Sequence, residues 1–131
     1  MAKRIIGFVM LTVMLFQITA CSGSISEEDI VGNTYAFLTQ HSEEAFIISI
    51  FESGIFTYSE GVGSDYIGAG EWSLEGNTLK LVDQKSPERL TNYFSVQKDK
   101  IVFIEEDSDN FPNVQLTSKC EFYKLIINEH E

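Results

Sequence analysis

The sequence predicts an all-β fold of about eight short antiparallel strands, and three observations predict it. From Thr34 onward, runs of β-branched and aromatic residues recur at near-regular spacing, broken by turn residues. Within those runs the side chains alternate at period two, and no segment after residue 31 keeps a helical period over a useful length. The breaks are short, as at Glu52-Ser53-Gly54, Glu75-Gly76-Asn77 and Lys98-Asp99-Lys100. Parallel neighbours need crossovers of a dozen residues or more, so short breaks mean an antiparallel meander.

Taken in order, Ser26-Glu27-Glu28-Asp29 has the pattern of a capped single helical turn, and Gly32 stops it. Strands are expected at 34–39, 45–51, 55–60, 68–74, 78–83, 90–97, 101–105, 114–116 and 119–125. A meander this long must close or fold over to bury one face, giving a lipocalin-like small barrel or a curled sandwich. The expected inward set is Phe37, Phe46, Ile48, Ile50, Trp72, Leu74, Leu79, Leu81, Phe94, Val96, Val102, Ile104 and Leu125. A slip of one residue in register turns a strand inside out.

The first 20 residues are a different kind of segment. Lys3-Arg4 precedes the apolar run Ile5–Phe16, and Ile18-Thr19-Ala20-Cys21 follows Gln17. Charge, short apolar core and small residues before a break point make a signal peptide. The run is too short for a comfortable membrane span, which takes about 20 apolar residues. The tetrad ending in Cys21 resembles the lipobox of bacterial lipoproteins, with Ile18 and Thr19 departing from its commonest form. That resemblance implies a diacylglyceryl group on Cys21 and cleavage before it. Two acyl chains anchor stably where one is marginal. The expected division is a signal peptide over 1–20, a lipidated Cys21 with a flexible tether over 21–31, one β-domain over 32–127 and a frayed tail over 128–131.

Loss of the leader removes two of the nine basic residues and none of the 20 acidic ones, so the mature charge falls from −11 to −13. Such a balance repels nucleic-acid backbones and anionic lipid surfaces. Acidity here keeps a tethered domain soluble, with a cationic partner as the sharper alternative. If Cys21 carries lipid, Cys120 is an odd thiol in an apolar stretch, where cysteine acts as a small hydrophobe.

Residues for chemistry are scarce. The two histidines, His41 and His130, lie in a polar turn and near the end, and no G-x-S-x-G elbow accompanies them. The run Glu105–Asn110 offers Asp107, Asp109 and Asn110 as weak metal ligands. A helix-flanked calcium loop is excluded, because Pro112 and Ser118 stand where Gly and Glu are needed. Its plainer reading is a turn whose Asp and Asn side chains bond their own backbone. Gly61–Gly70 is glycine-rich but opens no helix, so it does not read as a phosphate cradle. It reads as a corner of the sheet or as the lip of a pocket, with Tyr66 and Trp72 as candidate ligand contacts.

Gly32–Tyr35, Glu52–Gly61, Ser64–Leu79 and Val102–Phe111, with the pattern S-x-Y-I-G-x-G-x-W in the third block, resemble an uncharacterised extracytoplasmic all-β domain of clostridial lipoproteins. That domain also occurs beside antirepressor-type membrane metallopeptidases. The resemblance implies a binding, sensing or accessory module and supplies no catalytic residue. The zinc-binding His-Glu-x-x-His of the peptidases is missing from this chain.

The expectation is therefore a non-enzymatic lipoprotein on the extracytoplasmic face of the cell membrane, anchored through Cys21, without cofactor or nucleic acid. Its partner is an unidentified small molecule or protein. The alternative is a protein–protein module of the inhibitor or immunity type, with a hydrolase third.

Overall fold

The computed structural model describes residues 24–38, 45–61 and 65–126. One helical turn, α1 (Glu27–Ile30), is followed by eight strands: β1 (Thr34–Leu38), β2 (Ala45–Ile50), β3 (Ile55–Ser59), β4 (Ile67–Glu75), β5 (Thr78–Asp83), β6 (Thr91–Val96), β7 (Lys100–Ile104) and β8 (Glu121–Lys124). Each strand pairs antiparallel with the next, and β8 returns to β1, so the meander closes into a barrel. Closure leaves no open sheet edge among these strands. The lipocalin-like small barrel is thus the observed architecture, and the curled sandwich is not.

The α1 turn forms where its caps are. The Asp29 carboxylate accepts the Ser26 backbone N–H at 2.9 Å and the Ser26 hydroxyl at 3.2 Å, which satisfies donors a helix start leaves open. Ile30 is fully buried, and the Ile25 N–H donates to Asn77 Oδ1 at 3.0 Å. The stretch expected to be a tether is therefore packed onto the barrel from Ile25 onward. It closes one end, hereafter the helix end, which also carries turns 51–54, 76–77 and 97–99.

Along β2, β6 and β7 burial alternates strictly. The inward residues meet as an aromatic core: Phe46 packs edge-on to Phe122 with centroids 5.2 Å apart, and Phe94 packs likewise on Phe103 at 5.5 Å and on Phe122 at 5.6 Å. Three of the expected inward residues point elsewhere. Val102 and Ile104 face outward, while Ile101 and Phe103 are buried. Phe94 lies directly opposite Phe103 in the ladder, and directly paired residues share a face, so an inward Phe94 carries Phe103 with it. Ile101–Ile104 is apolar throughout and gives no alternation to read. Leu125 lies past β8 and is half exposed; Phe122 takes the interior position. The strand expected at 114–116 is not one, as the next subsection shows.

Two glycines in β4 are set by close approach. A Cβ on Gly68 would stand 1.9 Å from the Tyr58 ring, and one on Gly70 would stand 1.8 Å from the Val82 carbonyl oxygen. The first neighbour is a side chain with some freedom, and the second is backbone. Gly68→Ala is expected to lower unfolding free energy by about 1–3 kcal/mol through overpacking, and Gly70→Ala by more, measured by urea denaturation.

Candidate functional site

The end of the barrel opposite α1 carries the long connections and nearly all the buried polar chemistry. The interior of an eight-stranded barrel is just wide enough for side chains or one small ligand. Here side chains fill it. Residues 105–120, between β7 and β8, turn back over the opening and drive Phe111 inside. Its ring meets Phe46 at 4.8 Å and Tyr58 at 4.9 Å, both edge-on. Leu116 is buried beside it.

Polar contacts hold this plug. Beyond Tyr93, where β7 stops pairing with β6, the loop continues the ladder. The Tyr93 N–H donates to Ser108 Oγ at 2.9 Å, and the Thr91 N–H to Asp109 Oδ2 at 2.7 Å. The Asp109 N–H returns to the Thr91 carbonyl at 2.8 Å. The buried Asn92 accepts the Asn110 N–H at 2.7 Å. Asn110, at φ 73°, accepts the Leu116 N–H at 2.8 Å through Oδ1 and donates to the Leu116 carbonyl through Nδ2. Asparagine is among the few residues that take this backbone conformation readily. Glu60, fully buried, accepts from the Asn113 N–H at 3.0 Å, Asn113 Nδ2 at 2.6 Å and the Val114 N–H at 3.3 Å. Residues 114–116 are therefore a stopper pinned by a carboxylate and an asparagine.

The weak metal candidates fall in this loop. Asp109 and Asn110 are engaged in fastening it, and Asp107 is exposed at φ 45°. Among the described residues no group of three or more His, Cys, Asp or Glu side chains converges as a metal site.

A second buried carboxylate lies close by. Asp83 accepts Tyr58 OH at 2.7 Å and Tyr66 OH at 3.1 Å on Oδ2, and the Lys85 and Ser86 N–H groups at 2.9 and 3.2 Å on Oδ1. Burial pushes the Tyr58 phenol far above its ordinary range, and the Asp83 bond and charge add to the rise. Tyr66 is raised in the same direction, by desolvation and then by Asp83. Both hydroxyls are held protonated at neutral pH, so they donate hydrogen bonds and offer no nucleophile.

The two proposed contact residues are separated. Tyr66 sits at the plug end on Tyr58 and Asp83. Trp72 lies six residues further along β4, about 20 Å at strand rise. It is buried, and its Nε1–H donates to the Phe51 carbonyl at 2.8 Å near the helix end. The pattern S-x-Y-I-G-x-G-x-W is accounted for as architecture from its tyrosine onward: a phenol on Asp83, room for Tyr58, room for a carbonyl, and an indole tying β4 to a turn. Neither Glu60 nor Asp83 stood out in the sequence. The available signal was an acidic residue ending an alternating strand on its inward phase, as Asp83 does after Leu79 and Leu81.

Outside the barrel, Ala36, Leu38, Ala45, Ile47, Tyr123 and Leu125 line a groove of about 620 Å³ across β8, β1 and β2, with Lys119 and Glu121 at its rim. Cys120 is half-buried, packs against the core and accepts the Thr117 N–H at 3.4 Å. Cys21, His41 and His130 lie outside the described residues. No helix among the described residues is long and apolar enough to cross a membrane. Comparison with protein-family models, with curated proteins and with solved structures gives no match to this chain.

Two outcomes test the plug and its neighbour. Phe111→Ala is expected to cost about 3–5 kcal/mol and to open an apolar space at the barrel end. An environment-sensitive hydrophobic dye should then bind the folded variant and not the wild type. Tyr58 has a folded pKa raised above its unfolded value of about 10, so its contribution to stability is complete below pH 10 and fades above it. Unfolding free energy should therefore fall as pH rises past 10, and Tyr58→Phe should flatten that slope.

Proposed function

We propose that the chain is a lipid-anchored, extracytoplasmic, non-catalytic module that works through its outer surface and engages a protein. The observation that carries the choice of partner is the filled interior. Ligand carriers built on small barrels keep a cavity inside. Here Phe111 occupies that space, and the buried Glu60 and Asn92 are turned to holding its loop. Binding then falls to the outer face and to the loops of the plug end, as in an inhibitor or immunity-type module.

Several features support the non-catalytic part of this reading. The two phenols nearest a buried carboxylate stay protonated, and the two carboxylates accept bonds from backbone or side-chain donors. The anchoring part rests on the lipobox-like tetrad before Cys21.

Intact mass of the protein from its native membrane tests the anchor. The expected result is cleavage before Cys21 plus a diacylglyceryl mass, with an uncleaved precursor after globomycin and no acyl mass in Cys21→Ala. A Cys21–Cys120 disulfide in an unlipidated protein would instead make it a secreted domain and end the anchoring proposal.

A further inference from the structure

We infer that the helix end of the barrel is a lipid-contacting surface, which holds the domain end-on against the membrane with its plug end facing outward. This rests on the lipid-anchor reading of Cys21 and goes beyond it, because an anchor alone sets no orientation.

Three observations carry the inference. The first is the shortness of the free linker. Ile25 is bonded to Asn77 and packs on the core, and Ile30 is fully buried. Only residues 22–24 separate Cys21 from that attachment, and the four residues from Cys21 to Ile25 span no more than about 14 Å when extended. A lipid on Cys21 therefore brings the helix end to the headgroups and leaves the barrel little room to swing.

The second is where apolar side chains remain in water. Among the described residues, seven large hydrophobics are exposed, and four of them lie at this end: Phe51 at 46%, Ile55 at 46%, Leu125 at 46% and Ile126 at 81%. They are neighbours around the rim. The Phe51 N–H donates to the Ile55 carbonyl, the Leu125 N–H donates to the Thr34 carbonyl, and Thr34 pairs with Ser49. The arc thus runs from β8 through β1 and β2 to β3, three strand spacings or about 15 Å. Isolated exposed hydrophobics need no explanation, but four on one rim at the anchoring end form a patch.

The third is how charge divides around the same end. The acidic groups of α1, with Glu75 and Asp99, belong to α1 and to the β4–β5 and β6–β7 turns. Two exposed carboxylates flank the apolar arc, Glu52 in the turn beside Phe51 and Glu71 directly opposite Ile55 in the ladder. Lys98 and Lys124 stand beside Asp29 and Asp99 and offset part of their charge, so at a zwitterionic surface the exposed apolar groups decide that the β8–β3 arc is lowered. Apolar groups in that position sit about 5–10 Å into the boundary between headgroups and acyl chains.

The test uses the full chain processed in a bacterial host and reconstituted into phosphatidylcholine vesicles with dibrominated acyl chains. Phe51→Trp and Ile126→Trp report the helix end, and Ile67→Trp, exposed at the plug end, is the control; the buried Trp72 is a background common to all three. Quenching of the added fluorescence is expected to be about twofold or more at the helix-end positions and absent at Ile67→Trp, given that depth. Two helix-end variants are used so that one misfolded protein does not decide the result. A lipidated protein with equal quenching at both ends, or none at either, overturns the orientation and leaves the anchor standing. A protein whose mass shows no lipid on Cys21 overturns the anchor and this inference with it.

Discussion

A small closed barrel either fills its interior with side chains or keeps room for a ligand, and here the filling depends on one residue from outside the strands. Phe111 stands between Phe46 and Tyr58 at the end where the sheet opens. Without it, the rings of Phe46, Tyr58, Phe94 and Phe103 would face an unfilled opening. Aromatic edge-to-face pairs contribute about 0.5–1.5 kcal/mol beyond their buried area. The larger effect is that the loop removes the space a ligand would need.

Putting a 16-residue irregular loop over a barrel mouth creates a second constraint. Its backbone groups leave water and must find partners, since an unmet buried N–H costs about 1–3 kcal/mol. The strands cannot supply them, because β7 ends at Ile104 and β6 runs on alone. Side chains substitute for the missing ladder: Ser108, Asp109, Asn110 and Asn92 on one side, Glu60 on the other. This explains an acidic, Asn-rich segment beside an aromatic core. It also explains why the carboxylate of Glu60 is buried at the barrel mouth.

Much of the barrel was legible because strand alternation and turn residues act locally. Phe46, Ile48 and Ile50 announced β2, and Glu75-Gly76-Asn77 announced the β4–β5 hairpin. The α1 turn was readable for the same reason, since its capping carboxylate lies three residues from the cap. Two features were not legible. Ile101–Ile104 has no polar residue to mark its outer face, so its phase came only from the partner strand through Phe94 and Phe103. The residues of the plug read locally as an acidic turn followed by a short strand. Its fastening joins Asn113 to Glu60 across 53 residues, and no local pattern encodes a contact of that separation. The site residues suffered similarly: Tyr66 and Trp72 look like a pocket lip until their donors are seen bonded to Asp83 and Phe51.

The two ends of the barrel are chemically unlike, and the difference follows from which connections each carries. At the helix end the turns are short, the α1 cap buries Ile30 beneath its exposed acidic residues, and hydrophobic side chains remain exposed on one arc. At the plug end the connections 39–44, 60–66, 84–90 and 105–120 are long, and the buried groups are polar. Long loops on a rigid scaffold are where recognition is usually placed, because they vary without disturbing the core. In the proposed orientation those loops point away from the membrane, toward whatever meets the cell surface. For the 105–120 loop, rigidity then matters as much as reach. A loop already bonded to Glu60, Asn92 and Thr91 loses little further freedom when a partner binds, so a larger share of the contact energy appears as affinity. In the proposed reading the plug serves two ends: it closes the core, and it presents a preorganised surface to a partner.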